Sequence, residues 1–249
     1  MRVFRADLHL HSALSPCGSL EMSPSAIFQI GLEKGINLMA VTDHNSYWNS
    51  ITFGKIALRG NFPFFYGMEV QTEEEAHFLV YFDDLPRFKL FGEEVYNRLP
   101  EIDNDPEHFG DQVAVDEEDN VVFIERKLLL HSIRASVEDL FELGGSLGGL
   151  VIPAHVDADH FSILGQLGFI PRQIPFPALE VTPSFFRKDH SAMEFTGFPL
   201  VCFSDAHYLK EIGRSLTVFK MEEPTLEEFA LALKGERGRG IIRIERGED

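Results

Sequence analysis

The chain has 249 residues, of which 44% are hydrophobic and 25% charged; this suits one compact domain and excludes a fibre, a long disordered tail or a repeat array. Forty acidic side chains against 22 basic ones give a formal net charge of −18, which repels polyanions at long range and makes long nucleic acid a disfavoured partner. No apolar run reaches the roughly 18 residues of a membrane span, and the polar opening segment does not read as a signal peptide, so a cytoplasmic chain with no membrane association is expected. Cys17 and Cys202 are too few for a disulfide framework.

Short apolar runs rich in β-branched and aromatic residues alternate with helical patterns, the mark of an α/β domain with a parallel sheet. Strands are expected at 3–10, 37–42, 62–70, 77–82, 149–154, 178–181, 200–203 and 216–219. The first helix is framed by Ser23 as N-cap, Pro24 at the first helical position and Gly35 as stop, with Ile27 and Ile30 on one face. From Glu101 to Asp119 there are nine acids and no Lys or Arg, with Pro106 and Gly110 as breakers. This stretch reads as a solvated loop within an inserted segment of about 84–130, a lid over the substrate pocket being the alternative. Residues 127–143 read as a helix holding His131, and the Gly-Gly run around Gly145 and Gly148 ends it without the Lys-Ser/Thr of a phosphate loop. The last helix opens with Thr225 and Glu228 in capping-box spacing and stops at Gly235, and 240–244 reads as a short final strand.

In Asp7-Leu8-His9-Leu10-His11 a strand sends alternate side chains to one face, so Asp7, His9 and His11 point together and the two imidazoles make a metal clamp. A buried strand end satisfied by hydrogen bonds is the plain alternative. Other strand ends repeat the pattern: 38–42 runs into Asp43-His44-Asn45, 62–67 ends near Glu69, 151–154 runs into His155, and 201–204 runs into Asp205-Ala206-His207. His77 lies in its own strand. In barrel-like α/β folds the strand C-termini converge on one face, so these residues are expected to meet in one pocket.

Taken in order, Asp7-Leu8-His9-Leu10-His11-Ser12, Thr42-Asp43-His44-Asn45, Glu69 with His77, Pro153-Ala154-His155 and Ser204-Asp205-Ala206-His207 resemble the motifs of the PHP family. These are the polymerase-and-histidinol-phosphatase metal-dependent phosphoesterases. The resemblance spans 7–207 and implies a single α/β domain over 1–249, a distorted seven-stranded (β/α) barrel with two or three divalent ions at the strand C-termini. It implies one ion on His9, His11, Glu69 and Asp205, a second on His44 and His207, and a third on Glu69, His77 and His155, with Glu69 bridging. Where the family often has His or Asp a few residues after His-x-His, this chain has Ser15-Pro16-Cys17-Gly18. Cys17 is expected to complete the second site, which favours zinc over manganese or iron because a thiolate is soft; a small buried thiol is the alternative. Cys202, in an apolar strand, is expected in the core.

Catalysis is expected to rest on Glu69 and Asp205, with Asp43 orienting a ligand. His160, in the loop after one strand end, and Arg187 and Lys188, after another, are candidate substrate contacts, since arginine can grip phosphate bidentately. Solvated charges are the alternative for these three. His108 and His131 read as surface or packing residues. The expected function is a phosphatase acting on a small phosphorylated substrate, a phosphomonoester or nucleotide, in which clustered ions acidify a bridging water and orient the resulting hydroxide. A metal-dependent amidohydrolase also begins with His-x-His but leaves Thr42-Asp43-His44 and Asp205-x-His207 unexplained. A non-catalytic metal-binding module is the rival from another class, and the nearly complete ligand set weighs against it.

Overall fold

A computed structural model describes residues 1–187, 195 and 197–247. In chain order the first half holds β1 (Arg2–Leu10), α1 (Pro24–Glu33), β2 (Leu38–Val41), α2 (Trp48–Arg59), β3 (Tyr66–Gln71), β4 (His77–Phe82), α3 (Leu85–Arg98), α4 (Pro106–Phe109), β5 (Val113–Val115) and β6 (Val121–Ile124). The second half holds α5 (Val137–Ser146), β7 (Leu150–Pro153), α6 (Ile163–Leu167), β8 (Leu179–Glu180), β9 (Leu200–Val201), β10 (Ser215–Met221), α7 (Leu226–Lys234) and β11 (Gly240–Arg246).

The fold is mixed α/β, and among the described residues its ladders do not close into one barrel. They form four sheets, ordered β11-β10-β1-β2, β3-β4-β7, β5-β6 and β8-β9. Single bridges, Met39 to Phe64, His44 to Glu69 and Leu10 to Ala206, link neighbouring sheets where full ladders were expected. Nor is the pairing all parallel: β4 runs antiparallel to both β3 and β7, and β10 antiparallel to β1. Only residues 72–76 join β3 to β4; that is hairpin length, whereas a parallel crossover needs a dozen residues or more.

Alternate side chains of the strands still share one interior. Phe4, Ala6 and Leu8 of β1 pack with Leu38 and Ala40 of β2, Leu79 and Tyr81 of β4, Ile152 of β7, Val201 of β9 and Phe219 of β10. Helix α7 closes this core from one end, its Phe229 ring meeting Phe65, Tyr81 and Phe219. Thr225 caps α7 by accepting the Glu228 N–H, and Gly235 ends it at φ 69°. The capping box stays half made, because the Glu228 carboxylate takes the Glu222 N–H and Arg239 instead. Ser23, Pro24 and Gly35 frame α1 as expected.

Two local expectations fail. Helix α5 starts at Val137, where Ser136 and Asp139 complete a capping box, so His131 lies in a turn ahead of it. The acidic stretch is more than a loop: Asp105 caps the short α4, and β5 and β6 pair as a hairpin. Its carboxylates are mostly exposed, but Ala114 and Val115 are buried and the Val113 N–H donates to the Ala13 carbonyl at 2.8 Å. A Cβ on Gly110 would lie 2.6 Å from the Pro16 carbonyl oxygen, so the stretch sits directly on the Ser15-Pro16-Cys17 turn. No described helix is long and apolar enough to cross a membrane.

Candidate metal centre

Loops at strand ends bring the expected ligands together. His9 and His11 come from the end of β1, where pairing with β2 shifts register between Asp7 and Leu10. Asp7 leaves the group: its carboxylate accepts N–H bonds from Ser204 at 3.0 Å and Gly213 at 2.8 Å. Burial pushes its pKa up to about 6 against those bonds. His44 follows β2, Glu69 lies in β3, His77 opens β4, His155 follows β7, and Asp205 and His207 follow β9. Asn45, His155 and Asp205 hold left-handed backbone, with φ of 47°, 30° and 47°, a strained state that non-glycine residues adopt mainly at functional turns.

Hydrogen bonds behind the imidazoles decide which nitrogen faces inward. The His9 Nδ1–H donates to Glu180, 3.0 Å from each carboxylate oxygen, so Nε2 keeps its lone pair for the pocket. Ser15 donates its single hydroxyl proton to Asp43 at 2.7 Å, so the His11 Nδ1–H must donate to Ser15 Oγ at 3.0 Å. The His77 Nε2–H donates to Gln71 Oε1 at 3.1 Å, and the His207 Nδ1–H to the Asp205 carbonyl at 3.0 Å. Asp43, also held by Ser12, therefore stands behind the ligands and acts on His11 through Ser15.

The inward atoms crowd together in a way that neutral side chains do not tolerate alone. His9 Nε2 and His11 Nε2 face each other at 3.2 Å. Asp205 Oδ1 lies 3.4 and 3.3 Å from them, and Glu69 lies at the same two distances. Glu69 Oε1 is also 3.0 Å from His77 Nδ1 and 3.1 Å from His155 Nε2, and Oε2 is 3.1 Å from His44 Nδ1. Nδ1 of His44 and Nδ1 of His77 are buried without a hydrogen-bond partner. Donors sharing a cation at about 2.1 Å are spaced about 3 Å apart, so the residues fit divalent ions. Three donor groups have their ligand atoms all within 4.8 Å of one another: His9, His11 and Asp205; His44, Glu69 and His77; and His11, Cys17, His44 and His207. His155 reaches the centre through Glu69. Cys17 is exposed as a residue, and its Sγ belongs to the third group.

The charges tell the same story. Burial alone would push the Glu69 carboxyl up, but His77, His44 and His9 hold it well below the usual range. Burial lowers the His9 imidazolium, and the Glu180, Asp205 and Glu69 carboxylates more than reverse that. Burial, with the Glu69, Asp205 and Asp43 carboxylates, pushes the Cys17 thiol far up, so it needs a cation to ionise. His207 is driven down to about 4, by burial and by His11.

A cavity of about 430 Å³ opens over these atoms, walled by Phe109, Leu130 and Phe161. His160 and Arg187 are exposed and do not line it. Lys188 lies outside the described residues. Sequence reasoning missed Glu180, which is buried, holds His9 and accepts the His155 N–H at 3.0 Å. Its signal was an acid ending an apolar strand. Phe161 was also missed, one residue past the His160 that was singled out.

Residues 190–237 match the model of a PHP-associated family, PHP_C. The lesion-specific endonuclease PfuEndoQ from Pyrococcus furiosus is similar over 99% of this chain and 60% of its own, with TM-score 0.72 and 22% identity. A two-domain Bacteroides vulgatus protein containing a predicted PHP-like metal-dependent phosphoesterase is similar over 95% of this chain and 64% of its own, with TM-score 0.53 and 16% identity. The chain shares its fold with these proteins. It is also 26% identical to the uncharacterized protein YqxK of Bacillus subtilis, over 97% of this chain and 65% of that protein. The chain thus spans less than two thirds of YqxK and of PfuEndoQ. One neighbour overturns an expectation drawn from charge. Endonuclease Q in complex with a 27-mer duplex, an abasic lesion at its active site, has TM-score 0.70 and 22% identity over 97% of this chain and 59% of its own. Long nucleic acid is therefore not excluded: net charge averages the whole surface, whereas contact depends on the local field.

Proposed function

We propose that this chain is a metal-dependent phosphoesterase acting on a nucleotide unit, free or within a strand. The observation that supports it best is the approach of His9 Nε2 to His11 Nε2 at 3.2 Å beside Glu69 and Asp205, a cluster of donor atoms that suits a shared cation. His9, His11, Glu69 and Asp205 would hold one ion; His44, His207 and Cys17 a second; His77 and His155, with Glu69 shared, a third. Zinc suits the thiolate-bearing set best. Divalent ions bound there supply water activation and charge neutralisation on the phosphate.

The chain's own residues do the positioning. Glu180 fixes the His9 ring, Ser15 and Asp43 fix His11, and Gln71 fixes His77, so lone pairs are aimed before any ligand arrives. Asp205 lies at the cavity wall, and against the cost of burial the His9, His11 and His207 rings keep its carboxyl ionised. The cavity, about 430 Å³, suits one nucleotide rather than a whole macromolecule; a strand would present a single phosphate to it. The likeness to Endonuclease Q and to a PHP-like phosphoesterase supports an ester of phosphoric acid as substrate.

The test is hydrolysis of p-nitrophenyl phosphate, of a p-nitrophenyl nucleotide diester and of an abasic-site duplex by zinc- or manganese-loaded protein. Turnover of at least one, lost on chelation and in Glu69→Gln, supports the reading. Turnover of none by fully loaded protein refutes it.

A further inference from the structure

Phe161 is placed with unusual firmness for a half-exposed aromatic. Phe161 has positive φ, as do Asn45, His155 and Asp205 at the same site. For a bulky residue φ of 55° is an outlier that the surroundings must hold in place. They do so from both sides. The Phe161 carbonyl accepts the His77 N–H at 2.9 Å, and the next residue, Ser162, is buried and caps α6 through the Gly165 N–H at 2.9 Å. The ring lies nearly parallel to the imidazole of His77, with centroids 5.1 Å apart and 14° between planes. Even so, 45% of the residue is exposed, at the wall of the cavity over the donor groups.

A hydrophobic ring held at a strained turn and left open to a cavity has given up burial it could have gained elsewhere in the fold. Its position makes sense if a ligand covers it. A planar, weakly polar ring system gains most from such a face, because it stacks on phenylalanine without needing a hydrogen-bond partner. Phe109 and Leu130 offer further apolar wall to the same ring.

We infer that Phe161 is a specificity-determining residue on which the nucleobase next to the reacting phosphate stacks. The inference rests on the phosphoesterase reading and narrows its substrate to esters that carry a base. The methyl group of a simple alkyl ester is too small to cover the ring, so Phe161 separates nucleoside esters from alkyl ones.

The experiment compares thymidine 5′-(p-nitrophenyl phosphate) with methyl p-nitrophenyl phosphate, which share a leaving group and differ in the esterifying alcohol, a nucleoside against methanol. In metal-loaded wild type kcat/KM should favour the thymidine ester. Phe161→Leu keeps an apolar cover on His77 but removes the aromatic face, and should cut that preference by about tenfold or more, the range for one base–aromatic stack. Phe161→Trp should retain the preference, and metal content by elemental analysis should be equal in all three proteins. An unchanged preference in Phe161→Leu, or an equal loss in Phe161→Leu and Phe161→Trp, overturns the inference. Calorimetric binding of thymidine 5′-monophosphate against inorganic phosphate separates the two readings should no ester be cut. A preference for the nucleotide that Phe161→Leu removes upholds the stacking role while the hydrolysis reading falls; no preference in wild type overturns the stacking role itself.

Discussion

Each inward nitrogen at this centre is selected by an outward bond, so the residues behind the ligands should matter nearly as much as the ligands. Glu180 is the clearest case, holding His9 by its side chain and His155 by its backbone N–H. Glu180→Ala should lower affinity for at least one ion about 10- to 100-fold, read by competition with a chromogenic chelator; unchanged affinity would mean that His9 is not a ligand. Cys17 permits a sharper test. Its Sγ stands with His11, His44 and His207, so Cys17→Ser should release one ion selectively, while Cys17→Asp should bind it again with a shift from zinc towards manganese. Metal titration of the two variants decides this, and full zinc occupancy in Cys17→Ser would remove Cys17 from the centre. Most of the expected ligands were visible in the sequence because they lie in or just beyond apolar strands. The sequence hid the supporting bonds, because Ser15, Gln71 and Glu180 carry no local pattern that says which ring they will meet.

At the scale of elements, caps and breakers were readable and pairing direction was not. Ser23, Pro24 and Gly35 bound α1, and Thr225 and Gly235 bound α7, because capping depends on residues within a few positions of each other. Antiparallel β3 and β4 follow from the shortness of 72–76, a count that the alternation of strands and helices obscured. The β5-β6 hairpin was lost under its charges: the acids dominate the composition, while the short Val113–Val115 run supplies the buried side. Helix α7 is held to the core mainly by Phe229, fully buried against three other rings. Phe229→Ala should cost about 3–5 kcal/mol, measured by denaturant unfolding, whereas Thr225→Ala should cost about 1 kcal/mol through the lost cap. Equal losses would mean that α7 is anchored by its start rather than by its face.

For the molecule as a whole, the interior is shared by strands from both halves of the sequence, and the centre ties together loops that no single sheet joins. Among the described residues the sheets meet by single bridges at Leu10, Met39 and His44, so bound ions should act as cross-links between them. Removing ions with chelator should lower the thermal midpoint, and adding zinc back should restore it in proportion to ligand excess; a midpoint indifferent to both would leave the centre without a structural part. The −18 charge describes this whole and misled about the part: it said nothing of a pocket in which a dense set of carboxylates and imidazoles calls for cations.

The most direct test of a multinuclear centre built around Glu69 is the count of ions per chain, by elemental analysis after expression with added zinc, in wild type beside Glu69→Gln. The structure predicts two or three ions in wild type and the loss of at least one in Glu69→Gln, with both proteins folded by circular dichroism. Fewer than about one ion per wild-type chain, or the same count in both proteins, would contradict it.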